Sequence, residues 1–244
     1  MMKGKECLIV ALDGMGPEDA INLAEAIGPG ELAGFKANSL LDHCLIDGFS
    51  LRELVRSLGK IAPIFWADQK FSDVKQTVYD RIVPYRKSGV NLITVMAEEG
   101  VPMIREAIKA GGAEIGIIGV TVLTDKDEMS FPLDSGGTIQ SRVLQYARNI
   151  VLAGGTRIVC SAEDLVFLEK YPELECLESY TPGIRPLWAP PKGQVRFTTP
   201  TQALQKGADY LVVGSPIYNP PEKIGGPVAA VQKIVEEIES VEDK

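Results

Sequence analysis

The sequence contains one histidine, His43, and only four cysteines among its 244 residues. The cysteines are widely scattered, at Cys7, Cys44, Cys160 and Cys176. No pair of them has the spacing of metal ligands. His43 has no ligand partner at a useful spacing either, so we interpret it as a structural or surface residue. We therefore predict no metal site, and we expect reduced, structural cysteines in a cytoplasmic protein.

Long apolar runs and an excess of basic residues are also missing. No apolar run approaches the ~20 residues of a membrane span. The apolar run near the N-terminus is short and ends at Asp13, unlike a secretory signal. The 25 Lys and Arg are outnumbered by 33 Asp and Glu, for a formal charge of −8. An acidic surface repels phosphate backbones, so we expect neither nucleic acid nor a membrane as a partner.

Motifs of two large enzyme classes are absent as well. No Gly-x-Gly-x-x-Gly pattern stands between a strand and a helix, which argues against a dinucleotide cofactor. No Gly-x-Ser-x-Gly sequence is present, which argues against an α/β-hydrolase nucleophile.

The sequence does contain a regular alternation of short apolar runs and amphipathic segments. The apolar runs predict strands at residues 7–12, 34–37, 62–67, 92–95, 115–121, 157–160, 177–181 and 210–213. The amphipathic segments predict helices at residues 17–27, 51–58, 75–87, 101–109, 138–152, 162–170, 200–205 and 227–241. Nearly continuous apolar strands indicate parallel strands covered by helices. The pattern favours a single (β/α)8 barrel domain over residues 1–244, with a doubly wound open sheet as the alternative.

Polar residues follow several of the predicted strands, where barrel enzymes place their active sites. Two lysines and three aspartates stand among them: Asp13, Lys36, Asp68, Lys70 and Asp73. Other residues at these strand ends are Thr124, Gly183, Arg185, Gly214 and Ser215. Each of these charged residues, taken alone, has an ordinary structural explanation. An aspartate at a strand end often caps the next helix, as Asp73 could near Val74. A lysine there often extends to solvent. Charges beside apolar segments are costly unless paired, so the set indicates a site.

At these positions the sequence resembles the orotidine 5′-phosphate decarboxylase family. The resemblance spans nearly the whole chain and includes IVALD at 9–13, GFK at 34–36, DQKFSDVKQTV at 68–78, GVTVLT at 119–124, TPGIRP at 181–186 and TPTQALQKGADYLVVG at 199–214. The Asp-x-Lys-x-x-Asp motif is shared with sugar-phosphate decarboxylases and hexulose-phosphate synthases, whereas TPGIRP and the long last motif are more specific.

Three departures from the family pattern stand out. Ser72 replaces a histidine, and Lys75-Gln76 replace Pro-Asn, but none of these is a charged position of the motif. Ser215 stands where the family normally has the arginine that holds the substrate phosphate. Arg185 and Gln194 remain at the matching positions of the phosphate loop.

The resemblance implies the decarboxylation of orotidine 5′-monophosphate to UMP in pyrimidine biosynthesis, with no metal or organic cofactor. It implies that Lys70 donates the proton to carbon six of the ring and that Asp68 lies near the departing carboxylate. Lys36 and Asp73 would complete an alternating array of charges. Asp13 and Lys36 would bind ribose hydroxyls, and Thr124 would contact the pyrimidine. Gly214 and Ser215 would stand with the substrate-binding residues.

The resemblance also implies a homodimer, in which Asp73 and Thr77 enter the neighbouring subunit's site. Two alternatives stay open. One is a related sugar-phosphate decarboxylase or lyase that uses Mg2+. The other is a nucleotide-binding homologue without activity, which Ser215 favours.

Overall fold

Eight parallel strands form the centre of the molecule. The structure, a computed structural model, describes residues 4–124, 126, 131, 136–189 and 197–242. The strands are β1 (Leu8–Ala11), β2 (Gly34–Ala37), β3 (Ile64–Phe71), β4 (Leu92–Met96), β5 (Gly116–Val120), β6 (Arg157–Val159), β7 (Glu178–Thr181) and β8 (Tyr210–Val213).

Helices connect successive strands on the outside. They are α1 (Pro17–Ile27), α2 (Ser39–Ile46), α3 (Leu51–Leu58), α4 (Lys75–Ile82), α5 (Val101–Gly111), α6 (Ile139–Leu152), α7 (Ala162–Leu168), α8 (Pro200–Gln205), α9 (Ser215–Tyr218) and α10 (Pro227–Glu242). Short 3-10 helices lie between some of these elements, such as Val83–Lys87 directly after α4. No helix of the described part of the chain has both the length and the apolar composition needed to cross a membrane.

The strands close into a barrel in sequence order. Each strand pairs in parallel with the next, and β8 returns to β1 with Leu8 opposite Leu211. The predicted (β/α)8 barrel is thereby confirmed, and the open sheet is wrong. Barrel strands are buried on both faces. In β1, Ile9 belongs to the inner apolar cluster and Val10 to the outer one, which is why the strands read as continuous apolar runs.

Close packing between neighbouring strands explains the glycine that begins β2. A Cβ atom on Gly34 would lie 2.5 Å from the carbonyl oxygen of Ile64 on β3. Because a backbone atom cannot give way as a flexible side chain does, a larger residue here would push the two strands apart. Gly34 therefore permits the close approach of β2 and β3, which pair with Lys36 opposite Trp66.

The third strand is longer than its apolar run predicts. The prediction ends the strand at residue 67, but β3 continues through Asp68 and Lys70 to Phe71, which pairs with Val95 of β4. The prediction was wrong because it stopped at the first charge, whereas cross-strand pairing decides where a strand ends. Asp68 and Lys70 thus lie within the strand.

Among the described helices, two were not predicted. One is α9 (Ser215–Tyr218), a single turn. The other is α2, whose buried residues Leu40, Leu41 and Cys44 pack on the barrel while Leu45 and Ile46 are exposed. Apolar residues on both faces of a helix leave little of the 3.6-residue periodicity that reveals a helix in a sequence.

Candidate active site

A cavity of about 330 Å3 opens at the carboxyl ends of the barrel strands. Most of the residues predicted from the strand ends line it: Asp13, Lys36, Asp68, Lys70, Thr124, Gly183, Arg185, Gly214 and Ser215. The barrel therefore brings together side chains that are as far apart in sequence as Asp13 and Ser215. Closure of the strands in sequence order is what produces this convergence.

Lys36 joins two carboxylates on one side of the cavity. Its Nζ donates to the Oδ2 of Asp13 at 2.8 Å and to the Oδ2 of Asp68 at 3.0 Å. The Lys36 side chain is 9% exposed, so its charge is almost fully removed from water. A buried ammonium is tolerated only where carboxylates compensate it, and here two of them do.

Asp68 is the centre of the charged group. Its Oδ2 accepts from both lysines, with the Nζ of Lys70 at 2.6 Å. Its Oδ1 accepts the hydroxyl of Thr94 at 2.8 Å. Asp68 is 4% exposed, and both of its carboxylate oxygens are engaged. Such a carboxylate is held in one orientation, because rotation would break charge-assisted hydrogen bonds.

The pKa values of the buried pair shift in the directions that keep both groups charged. Burial alone lowers the pKa of Lys36, but the carboxylates of Asp68 and Asp13 outweigh it and raise the pKa above its usual 10.5. Burial alone raises the pKa of Asp68, but Lys36 and Lys70, with hydrogen bonds from Lys70 and Thr94, lower it below the usual 3.8. Both groups are therefore ionised at neutral pH.

Lys70 has an uncommon backbone conformation. Its φ is +47°, the only positive φ at a non-glycine residue in the described ranges. A side chain at such a φ is strained, and residues held this way concentrate at functional sites. The Nζ reaches the cavity, and the side chain is 35% exposed, against 6% for Asp68. Lys70 is thus the cation of the group that a ligand can approach most easily.

Asn38 and Thr94 contribute to the group, although sequence reasoning missed them. The backbone N–H of Asn38 donates to the Oδ1 of Asp13 at 3.1 Å, and its side-chain amide donates to the backbone carbonyl of Asp68. Thr94 lies inside β4 and is completely buried. The available signal was weak: one polar residue directly after β2 and one hydroxyl inside an apolar strand.

Arg185 and Ser215 also line the cavity. Arg185 is 5% exposed, and its Nη2 lies 3.5 Å from the Oγ of Ser215. Arg185 follows β7, where its backbone N–H donates to the carbonyl of Thr198 at 2.9 Å. A buried guanidinium at a cavity wall is suited to binding an anion such as a phosphate. Gln194, predicted at the same loop, lies outside the described residues.

Asp73 and Thr77 do not line the cavity of their own chain. Asp73 is exposed, and its Oδ1 accepts the backbone N–H of the next residue, Val74, at 2.7 Å. Asp73 is not the N-cap residue of α4, because Val74 occupies that position and the Asp73 carboxylate bonds the backbone N–H of Val74 itself. Within one chain, the charged group therefore consists of Asp13, Lys36, Asp68 and Lys70.

Within the described ranges, no three His, Cys, Asp or Glu side chains lie close enough together to hold a metal ion. The two carboxylates of the cavity, Asp13 and Asp68, both bond Lys36. Cys160 also lines the cavity, and burial, followed by Asp164 and Asp209, raises the pKa of its thiol well above the usual value. Cys160 is therefore a neutral thiol at physiological pH.

Solved structures of the same fold have closely similar architectures. The crystal structure of orotidine 5′-phosphate decarboxylase from Lactobacillus acidophilus superposes with a TM-score of 0.75 at 24% identity, covering 95% of this chain and 98% of that one. An uncharacterized conserved protein from Geobacillus kaustophilus superposes with a TM-score of 0.73 at 22% identity, covering 94% and 99%. At these identities the likeness establishes the fold.

Relatives of higher identity cover almost the whole chain. The orotidine 5′-phosphate decarboxylase of Heliobacterium modesticaldum is 33% identical over 255 residues, covering 97% of each protein. The enzyme of the same name from Nitrosococcus oceani is 34% identical over 241 residues, covering 97% of this chain and 99% of that protein. Residues 6–234 match the model of the orotidine 5′-phosphate decarboxylase / HUMPS family. This chain therefore belongs to the orotidine 5′-phosphate decarboxylase / HUMPS family.

Proposed function

We propose that this protein is an orotidine 5′-phosphate decarboxylase that converts orotidine 5′-monophosphate to UMP and CO2 in pyrimidine biosynthesis without a metal or organic cofactor. One observation carries the proposal. Lys70, Asp68 and Lys36 form a continuous ion-pair chain at the mouth of the barrel, with N–O distances of 2.6 and 3.0 Å. The relatives that cover the chain are named for this reaction.

The proposed chemistry is the exchange of a carboxylate for a proton at carbon six of the pyrimidine. The bond between carbon six and the carboxylate breaks, CO2 leaves, and the electron pair stays on the ring carbon. The ammonium of Lys70 stabilises the developing negative charge and donates a proton to that carbon. Solvent then returns a proton to Lys70, so the overall reaction consumes one proton and releases one CO2.

Asp68 has two tasks in this proposal. Its Oδ2, 2.6 Å from the Nζ of Lys70, orients the ammonium before substrate binds. The substrate carboxylate then approaches a second negative charge, and this repulsion is relieved when CO2 leaves. Lys36, bonded to both Asp13 and Asp68, holds the two carboxylates in place.

The remaining cavity residues bind the rest of the nucleotide. We propose that Asp13 and Lys36 contact the ribose hydroxyls and that Thr124 contacts the pyrimidine. Arg185, with Gln194, Gly214 and Ser215, would receive the phosphate. Arg185 is suited to the anionic end of the nucleotide because its guanidinium is buried at the wall of the cavity. Phosphate binding contributes to the reaction because energy from a remote group can be used at the reacting carbon.

We also propose that the chain forms a single domain over residues 1–244 and works as a cytoplasmic homodimer. In the dimer, Asp73 and Thr77 of one subunit complete the other subunit's charge array. Two observations on the chain support this assignment. Asp73 is exposed, and neither residue lines the cavity of its own chain.

The decisive experiment follows the ultraviolet absorbance of orotidine 5′-monophosphate with the purified protein, with and without EDTA. We expect turnover that EDTA leaves unchanged. Lys70→Ala should lower kcat by about 10²–10⁴-fold, the range that general acid catalysis contributes. Tight UMP binding without turnover by the wild-type protein would instead identify a non-catalytic nucleotide-binding protein. Loss of activity in EDTA would identify a metal-dependent member of the same family.

A further inference from the structure

The hydrogen-bonded ladder between β3 and β4 is interrupted beside the charged group. Ala67 pairs with Ile93 and Phe71 pairs with Val95, so residues 68–70 of β3 stand opposite one residue of β4, Thr94. Extra residues on one strand leave backbone groups without their regular partners and re-aim the side chains. The irregular segment contains both Asp68 and Lys70.

The hydroxyl of Thr94 provides a hydrogen-bond partner where the ladder is interrupted. Its Oγ1 accepts the backbone N–H of Lys70 at 3.0 Å. The same hydroxyl donates to the Oδ1 of Asp68 at 2.8 Å. Thr94 is 0% exposed, so water does not compete for either bond. One buried side chain therefore contacts the strained backbone of Lys70 and the carboxylate that orients its ammonium.

The two bonds depend on each other. A hydroxyl has a single proton, and because that proton points at Asp68, the oxygen lone pairs face the N–H of Lys70. Asp68 is left with its Oδ2 for the two lysines, at 2.6 Å from Lys70 and 3.0 Å from Lys36. If the Thr94 hydroxyl is lost, the carboxylate of Asp68 can rotate about its bond to the side chain. The backbone N–H of Lys70 then has no acceptor, and an unpaired N–H in a buried position costs free energy.

We propose that Thr94 is a positioning residue, whose hydroxyl fixes the backbone turn at Lys70 and the orientation of Asp68 as a single unit. The proposal rests on the proposed function for its kinetic consequence, since Thr94 itself does not line the cavity. It adds to that function a residue outside the Asp-x-Lys-x-x-Asp motif, supplied by the neighbouring strand.

The test compares Thr94→Val, which keeps the shape and removes the hydroxyl, with Thr94→Ser, which keeps the hydroxyl. Thr121→Val is the matched control: Thr121 is 1% exposed, and among the described residues its hydroxyl bonds the carbonyl of Val159, at 2.8 Å, and no other group. We expect Thr94→Val to lower kcat by roughly 10²-fold, the effect of a misplacement of about 1 Å at a reacting group. KM should change much less, and Thr94→Ser should recover most of kcat.

Two further measurements separate positioning from general destabilisation. Thermal unfolding of Thr94→Val and Thr121→Val should give similar losses of stability, whereas only Thr94→Val loses kcat. Amide hydrogen exchange at Lys70, followed by NMR, should be slow in the wild type and in Thr94→Ser and faster in Thr94→Val. If Thr94→Val does not fold, Thr94→Ala and Thr94→Ser provide the same comparison.

A folded Thr94→Val with wild-type kcat, or a Lys70 amide that exchanges equally fast in all variants, would overturn the proposal. Equal losses of kcat in Thr94→Val and Thr94→Ser would do so as well, because the hydroxyl would then be irrelevant. Failure of the proposed function is distinguishable: in that case the wild type does not turn over orotidine 5′-monophosphate, yet the exchange measurement at Lys70 still tests the role of Thr94.

Discussion

The Nη2 of Arg185 lies 3.5 Å from the Oγ of Ser215, and both residues line the cavity that contains the charged group. These two residues belong to different parts of the barrel, since Arg185 follows β7 and Ser215 begins α9 after β8. In the family pattern the position of Ser215 normally holds a second arginine. A hydroxyl at this point adds a hydrogen-bond donor to the site but no charge.

Replacing Ser215 with arginine should strengthen phosphate binding. A second guanidinium can form charge-assisted bonds to a phosphate that a hydroxyl cannot match. We expect Ser215→Arg to lower the KM for orotidine 5′-monophosphate by roughly tenfold, which corresponds to 1.4 kcal/mol. Steady-state kinetics measure it, and the phosphate-free nucleoside orotidine provides the control, because its turnover should not change. An unchanged or higher KM would show that another group already fills this role.

The loop that carries Arg185 is tied at its base to Glu163. The hydroxyl of Thr198 donates to the Oε1 of Glu163 at 3.0 Å, and the Nζ of Lys206 donates to the same oxygen at 2.8 Å. Thr198 in turn exchanges backbone hydrogen bonds with the loop: its N–H donates to Gly183, and its carbonyl accepts from Arg185. Glu163 therefore restrains the segment that presents the guanidinium.

Removal of this carboxylate should weaken binding of the phosphorylated substrate. Glu163 is 45% exposed, so the loss is modest, and we expect Glu163→Ala to raise KM by about two- to fivefold, as for partly exposed ion pairs. Glu173→Ala is the matched control, because Glu173 is 47% exposed and pairs with Arg148 at 2.7 Å. A KM unchanged in Glu163→Ala, or raised equally in both variants, would contradict the expected restraint of the loop.

Asp68 should make stability depend on pH in the acid range. The folded state lowers its pKa below 3.8, so the carboxylate stabilises the fold above that value, and the stabilisation is lost as pH falls through the lower, folded pKa. Asp68→Asn cannot titrate. At neutral pH it should be less stable than the wild type by roughly 3–5 kcal/mol, the effect of breaking a buried pair.

Urea unfolding at a series of pH values measures this difference. The gap in unfolding free energy between wild type and Asp68→Asn should be constant from neutral pH to about pH 5 and should shrink below pH 4. A gap that stays constant through the acid range would mean that Asp68 has an ordinary pKa in the folded protein.

Mixing two inactive variants should restore activity if subunits share sites. Lys70→Ala lacks the proton donor, and Asp73→Ala lacks the carboxylate proposed to enter the neighbouring site. Random exchange makes half of the dimers hybrid, and each hybrid has one intact site, so about a quarter of wild-type activity should return. Activity assays after subunit exchange measure the recovery. A mixture that stays as inactive as its components would argue that each site is contained within one chain.

The positions of the strands along the chain were predictable because both faces of each strand are buried. The continuous apolar runs revealed all eight strands, and polar residues after those runs gave Asp13, Arg185 and Ser215 as neighbours of one cavity. The length of β3 was not predictable, because charges end an apolar run but do not end a strand. Its extension to Phe71 depends on pairing with Val95, a residue that lies in another part of the sequence.

The contributions of Asn38 and Thr94 show where local patterns are insufficient. A single asparagine or threonine has no periodicity, and its partner is chosen by the register between strands. Because Thr94 faces the interrupted ladder, its hydroxyl reaches both Lys70 and Asp68. No spacing rule within β3 or β4 alone predicts this contact.

By itself, the sequence determined the alternation of strands and helices, the number of strands, which suits a closed barrel, and the charges at the strand ends. These features depend on burial and on the local sequence pattern. Tertiary structure alone decided which charges meet: Lys36 lies between Asp13 and Asp68, Lys70 adopts φ +47°, and Asp73 stays outside its own cavity. The physical reason is that these contacts depend on the register between β2, β3 and β4, which long-range pairing sets.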